Sequence, residues 1–83
     1  MKNVKFEVLD ESLKNQKYYA LIKISVGARS GYCVAVEDDE FSLQGIGNDA
    51  SRAREIYELF LNQEVSAIHA DEIAHDLLNA NFY

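Results

Sequence analysis

Phe41-Ser42-Leu43-Gln44-Gly45-Ile46-Gly47-Asn48-Asp49-Ala50-Ser51-Arg52-Ala53-Arg54-Glu55-Ile56-Tyr57 is the stretch where the chain changes period. Up to Ile46 apolar side chains alternate with polar ones, the two-residue repeat of a half-buried strand. From Ala53 onward they recur at Ala53, Ile56, Tyr57, Phe60 and Leu61, which is one stripe of a helix. Gly47 marks the break, and Asn48, Asp49 and Ser51 are each candidate N-caps.

Working back from that break, the alternation continues. Val4, Phe6 and Val8 point one way and Lys5 and Glu7 the other. Asp10 to Gln16 reads as a polar loop. Lys17 to Val26 is the longest strand; Ala20, Ile22, Ile24 and Val26 are assigned to the core, and Lys17, Tyr19, Leu21, Lys23 and Ser25 to the outside. Gly27 to Gly31 reads as a turn, Tyr32 to Glu37 as a third strand with Tyr32, Val34 and Val36 inward, and Phe41 to Ile46 as a fourth with Phe41 and Leu43 inward. Short links between successive strands imply an antiparallel meander. Working forward, Asn62-Gln63-Glu64 closes the first helix. Val65-Ser66 opens a second, whose stripe is Ala70, Ile73, Ala74, Leu77 and Leu78. Phe82 and Tyr83 are left either folded back on the core or frayed. The expected fold is α+β: a four-stranded antiparallel meander followed by two helices packed on one sheet face, in a single domain over residues 1–83.

Composition narrows the function classes. The 83 residues are too few for a doubly wound or barrel enzyme. The longest apolar run, Tyr18 to Ile22, is far short of a membrane span. The first residues lack an apolar segment of the kind a signal peptide needs, so a cytoplasmic location is expected. One cysteine cannot form an intrachain disulfide. The formal charge is −6, unevenly spread: residues 1–36 carry +3 and residues 37–83 carry −9. An acidic chain gains little from phosphates, so direct nucleic-acid binding is not expected.

The chemistry-bearing patterns are weak. Gly45-Ile46-Gly47-Asn48-Asp49-Ala50 spells the dinucleotide fingerprint, but that motif needs a parallel β-α-β unit, and Asp49 would set a carboxylate where the pyrophosphate belongs. Asp71, Glu72 and His75 have helical metal-ligand spacing, yet no second set completes a site. Ser66, His69 and Asp71 on one helix cannot converge as a triad. Cys33 reads as a half-buried structural thiol. Two surfaces remain as candidates for binding. One is the acidic helix face around Glu55, Glu58, Asp71, Glu72, His75 and Asp76; the other is the outer sheet face around Tyr19, Leu21 and Lys23.

The helical third also resembles a family of small, uncharacterised bacterial proteins with a short antiparallel sheet and two helices, the second opened by a V-S-P-I-H or V-S-P-V-H element. The residues carrying the resemblance are Asp49, Ser51, Arg52 and Ala53, then Glu64-Val65-Ser66-Ala67-Ile68-His69, then Asp71, Asp76, Leu77 and Leu78. Ala67 stands where the family pattern has proline, a favoured but dispensable first helical residue. The resemblance implies the same fold and no activity, cofactor or catalytic residue. The reading is therefore a non-enzymatic accessory or regulatory protein-interaction module, without cofactor or metal and without a membrane. Its partner is an unknown protein or a second copy in a homodimer. The alternative is an acidic inhibitor that mimics nucleic-acid phosphates and blocks a basic groove.

Overall fold

The computed structural model describes residues 3–79. Strands β1 (Val4–Lys14), β2 (Lys17–Val26), β3 (Arg29–Glu37) and β4 (Phe41–Gly47) form one antiparallel sheet in sequence order. Helices α1 (Ala50–Asn62) and α2 (Ala67–Asn79) follow and pack on one face of it. The fold is the expected α+β meander with two C-terminal helices. Helix α1 lies on β2 and β3, helix α2 mainly on β4, and the two helices touch each other only lightly. Phe82 and Tyr83 lie outside the described residues.

The hairpins are tighter than the sequence reading had them. The segment from Asp10 is strand, not loop, as far as Lys14. Only Asn15 and Gln16 turn, at φ 51° and 66°, the left-handed pair that a two-residue hairpin requires. The next turn is also two residues, Gly27-Ala28, with Gly27 at φ 61°. It sets Val26 opposite Arg29 and therefore Leu21 opposite Val34 and Tyr19 opposite Val36.

The registers reverse the faces expected for β2 and β4. Directly paired residues share a face, so Tyr19 and Leu21 join Val34 and Val36 beneath the helices. All four are essentially inaccessible. Ala20, Ile22, Ile24 and Val26 lie on the other face, with Val4, Phe6 and Val8. In β4, Ser42, Gln44 and Ile46 face the helices, while Phe41 and Leu43, assigned inward, are 64% and 45% exposed. β3 keeps the expected orientation, with Val34 and Val36 buried beneath the helices. A bulge at Leu9, between Val8 and Asp10, then moves the helix-facing set of β1 to Asp10, Ser12 and Lys14.

Those three polar residues explain why a polar segment forms a strand. Each meets a polar group of α1: Asp10 Oδ2 accepts from Arg54 at 3.1 Å, the Ser12 and Tyr57 hydroxyls are 3.1 Å apart, and Lys14 Nζ donates to the Leu61 carbonyl at 3.1 Å. The core between the layers is Tyr19, Leu21, Val34, Val36, Ile46, Ala53, Ile56, Tyr57 and Phe60, extended under α2 by Val65, Ala67, Ala70 and Ala74. The α1 stripe matches the sequence reading at Ala53, Ile56, Tyr57 and Phe60. In α2, Ala70 and Ala74 are buried, and the bulkier Ile73, Leu77 and Leu78 are only partly covered.

Of the three candidate caps, Asp49 is the one used: its Oδ1 accepts from the Arg52 amide at 3.1 Å. Helix α1 ends in a Schellman arrangement, with Val65 N bonded to Phe60 O, Glu64 N to Leu61 O, and Glu64 left-handed at φ 49°. The first amide of α2, at Ala67, is taken by Asp38 Oδ2 from the β3–β4 turn at 3.1 Å. Asp38 also accepts from the Glu40 amide at 2.9 Å. These two backbone donors, with Lys17 nearby, hold its carboxyl below the ordinary carboxylate range. A lowered folded value means the contribution exists above the unfolded value near 3.9 and fades as pH falls through the folded one. Asp38→Ala is therefore expected to melt earlier than the parent at pH 7, and the gap between their melting curves is expected to close on acidification toward pH 3.

Candidate functional site

The residues singled out from sequence fall on different sides of the molecule. Tyr19 and Leu21 are core residues under the helices, so they do not belong to the open face of the sheet. Lys23 is half-buried on that same helix side, opposite Glu7 of β1. Glu55 and Glu58 of α1, and Asp71, Glu72, His75 and Asp76 of α2, are exposed on the helix layer. Arg52 interrupts this acidic surface. It bonds Glu55 at 3.1 Å and reaches across to the Leu77 carbonyl, tying the first turn of α1 to the last turn of α2.

Among the described residues no group of three or more His, Cys, Asp and Glu side chains could hold a metal ion. The Gly45–Ala50 motif is a strand end and a capped helix in an all-antiparallel sheet. Gly47, at φ 103°, makes the corner. Among the described residues every buried side-chain nitrogen or oxygen has a hydrogen-bond partner. No helix among them is long and apolar enough to cross a membrane.

The open face of the sheet is different in kind. β1 presents Val4, Phe6, Val8 and Leu13; β2 presents Ile22, Ile24 and Val26; β3 presents Cys33; β4 presents Phe41 and Leu43; Ala20 and Ala35 lie on the same side but are buried between their neighbours. Phe6 is 69% and Leu13 77% exposed. Single exposed apolar residues are ordinary, but a contiguous sheet of them is not. Four strands about 4.8 Å apart and about 30 Å long give a face of roughly 570 Å², at the upper end of what a monomer exposes. Cys33 sits in it as a half-buried free thiol, and burial pushes its pKa up. This thiol is therefore less ionised at neutral pH than an exposed one.

Polar groups occur on this face only near its ends. At one end Glu11 and Glu37 flank Tyr18, whose hydroxyl donates to Glu11 Oε1 at 2.9 Å. That bond to a carboxylate, then burial, raises the Tyr18 pKa. At the other end Arg29 follows the Gly27-Ala28 turn. Beside it lies a shallow hollow of about 600 Å³ lined by Ile24, Val26, Gly31, Cys33 and Gly45.

Sequence reasoning missed most of this surface because the long central strand β2 is apolar on both sides. The usable signal was the Gly27-Ala28 turn. Read as a two-residue hairpin, it puts Leu21 opposite Val34 and turns Ile22 and Ile24 outward. Comparison with protein-family models, with curated proteins and with solved structures gives no match.

Proposed function

We propose that this chain is a non-enzymatic protein-interaction module that binds through the open face of its β-sheet. The observation carrying this reading is the apolar side of the sheet away from the helices, where Phe6 and Val8 on β1 and Phe41 and Leu43 on β4 are exposed. The alternative, an inhibitor mimicking nucleic-acid phosphates with the helix layer, has less support. A phosphate mimic needs a continuous acidic track, and on α1 Arg52 and Arg54 are ion-paired with Glu55 and Asp10 inside it.

Two variants separate these readings. Val8→Asp with Leu43→Asp places charge on the open face without touching the core. Glu58→Lys with Asp76→Lys reverses charge on the helix layer. Binding to a partner captured from lysate, or to the protein's own copies, is expected to be abolished in the first pair and retained in the second, with both variants melting as folded proteins. Loss confined to the helix-layer pair, together with steep salt dependence, would select the mimic instead.

A further inference from the structure

We infer that the occupant of the open sheet face is a second copy of this chain, stacked face to face about a two-fold axis that lies in the plane between the sheets and runs across the strands. The inference rests on the open face being the binding surface and adds the identity and the geometry of the partner.

Area comes first. Two faces, each with a footprint of roughly 570 Å², are together of the size of a specific interface, about 1,000 Å² or more, when they overlap fully. The molecule is a slab, 38 × 33 × 18 Å, and most of its exposed large apolar side chains lie on one broad side, Ile68 of α2 being the exception among those on the helices. Stacking two such slabs closes both faces as a sandwich with sheets about 10 Å apart, and leaves the helices outside.

Charge selects the axis. Arg29 lies at one end of the face and Glu11 and Glu37 at the other. An axis parallel to the strands would keep like ends together and set Glu37 near the partner's Glu37. An axis across the strands swaps the ends and sets Arg29 near the partner's Glu37.

Shape agrees independently. The same operation lays β4 on the partner's β4 with ends exchanged. Phe41, exposed at the acidic end, then comes over the hollow lined by Ile24, Val26, Gly31 and Gly45 at the partner's basic end. The hollow exists because Gly31 and Gly45 supply no side chains on this face. A Cβ built on Gly45 meets nothing within 4 Å. One arrangement thus pairs opposite charges and fits a knob to a hole twice over.

The test is sedimentation velocity on the purified full chain from about 1 to 200 μM. The parent is expected to pass from monomer to dimer within this range. Gly45→Leu fills the hollow at a position without positive φ, and Phe41→Ala removes the knob; each is expected to weaken association at least tenfold with an unchanged circular dichroism spectrum. Arg29→Glu and Glu37→Arg are each expected to weaken it about tenfold, and the double exchange to restore it. A parent that stays monomeric throughout, or a dimer indifferent to Gly45→Leu and Phe41→Ala, overturns the inference. A dimer weakened by those two but not rescued by the double exchange overturns the axis. If the parent is monomeric and the open-face aspartates still abolish capture of another protein, only the self-association fails and the binding face stands.

Discussion

Leu21→Asp is expected to abolish folding at 25 °C, whereas Ile24→Asp, three residues along the same strand, is expected to leave a cooperatively melting protein. Leu21 is 1% exposed, between Tyr19 and the paired Val34 and beneath α1. Replacing it removes a core side chain and buries a carboxylate with no partner, which costs upwards of about 4 kcal/mol. A chain of 83 residues has about 4–12 kcal/mol in total, at about 0.05–0.15 kcal/mol per residue. Ile24 is half-buried on the open face, where an aspartate reaches water. Its cost to the monomer is expected to stay within about 1–2 kcal/mol, though it would also spoil any association through that face. Far-UV circular dichroism and thermal melts at low micromolar concentration decide the matter. The reverse result, Ile24→Asp unfolded and Leu21→Asp intact, would mean that the helices cover the other side of the sheet.

This pair of variants tests the point at which sequence alone gave the wrong answer. The period change after Gly47, the antiparallel order and both helical stripes were legible because each is a local pattern with a single interpretation. Ala53, Ile56, Tyr57 and Phe60 have no competing face. Strand β2 has two, since Tyr19 and Leu21 on one side and Ile22, Ile24 and Val26 on the other are equally apolar. A one-residue change of phase exchanges them wholesale. What fixes the phase is not in the strand but in the two-residue turn after it. The polar half of β1 failed for a related reason. Asp10, Ser12 and Lys14 look like loop residues until Arg54, Tyr57 and the Leu61 carbonyl are placed across from them, and those partners are 44 to 47 residues away. In β4 the helix side carries Ser42 and Gln44, which bond each other at 2.7 Å, while Phe41 and Leu43 point to the open face. Hydrophobicity alone inverts such a strand. The open apolar face stayed hidden because Ile22 and Ile24, which read as core residues, lie on the side of the sheet away from the helices.

The second large effect concerns Tyr19, which joins the sheet to the link between the helices. Its ring is fully buried, and its hydroxyl donates to the Val65 carbonyl at 2.8 Å, just after the Schellman end of α1. Asp38 holds the Ala67 amide from the neighbouring turn and Asn15 bonds Glu64, so three sheet residues grip the four-residue connection in which α1 hands over to α2. Tyr19→Ala is expected to cost about 3–5 kcal/mol through the cavity it leaves. Tyr19→Phe keeps the packing and strands one buried carbonyl, at about 1–3 kcal/mol. Urea melts with unchanged slopes would measure both. The base side of the stability profile gives a second reading. Burial first, then the charges of Glu64 and Asp38, raise the Tyr19 pKa above its ordinary value near 10. Folding therefore favours the neutral phenol. The contribution is complete below the unfolded value and is lost as pH rises through the folded one. Tyr19→Phe should thus be the weaker protein at pH 7 and should close the gap with its parent above pH 10. It will not become indifferent to base, because Tyr57 and Tyr18 are also raised. A parent and variant that decline in parallel would show that ionisation of Tyr19 does not shape the base side of the profile.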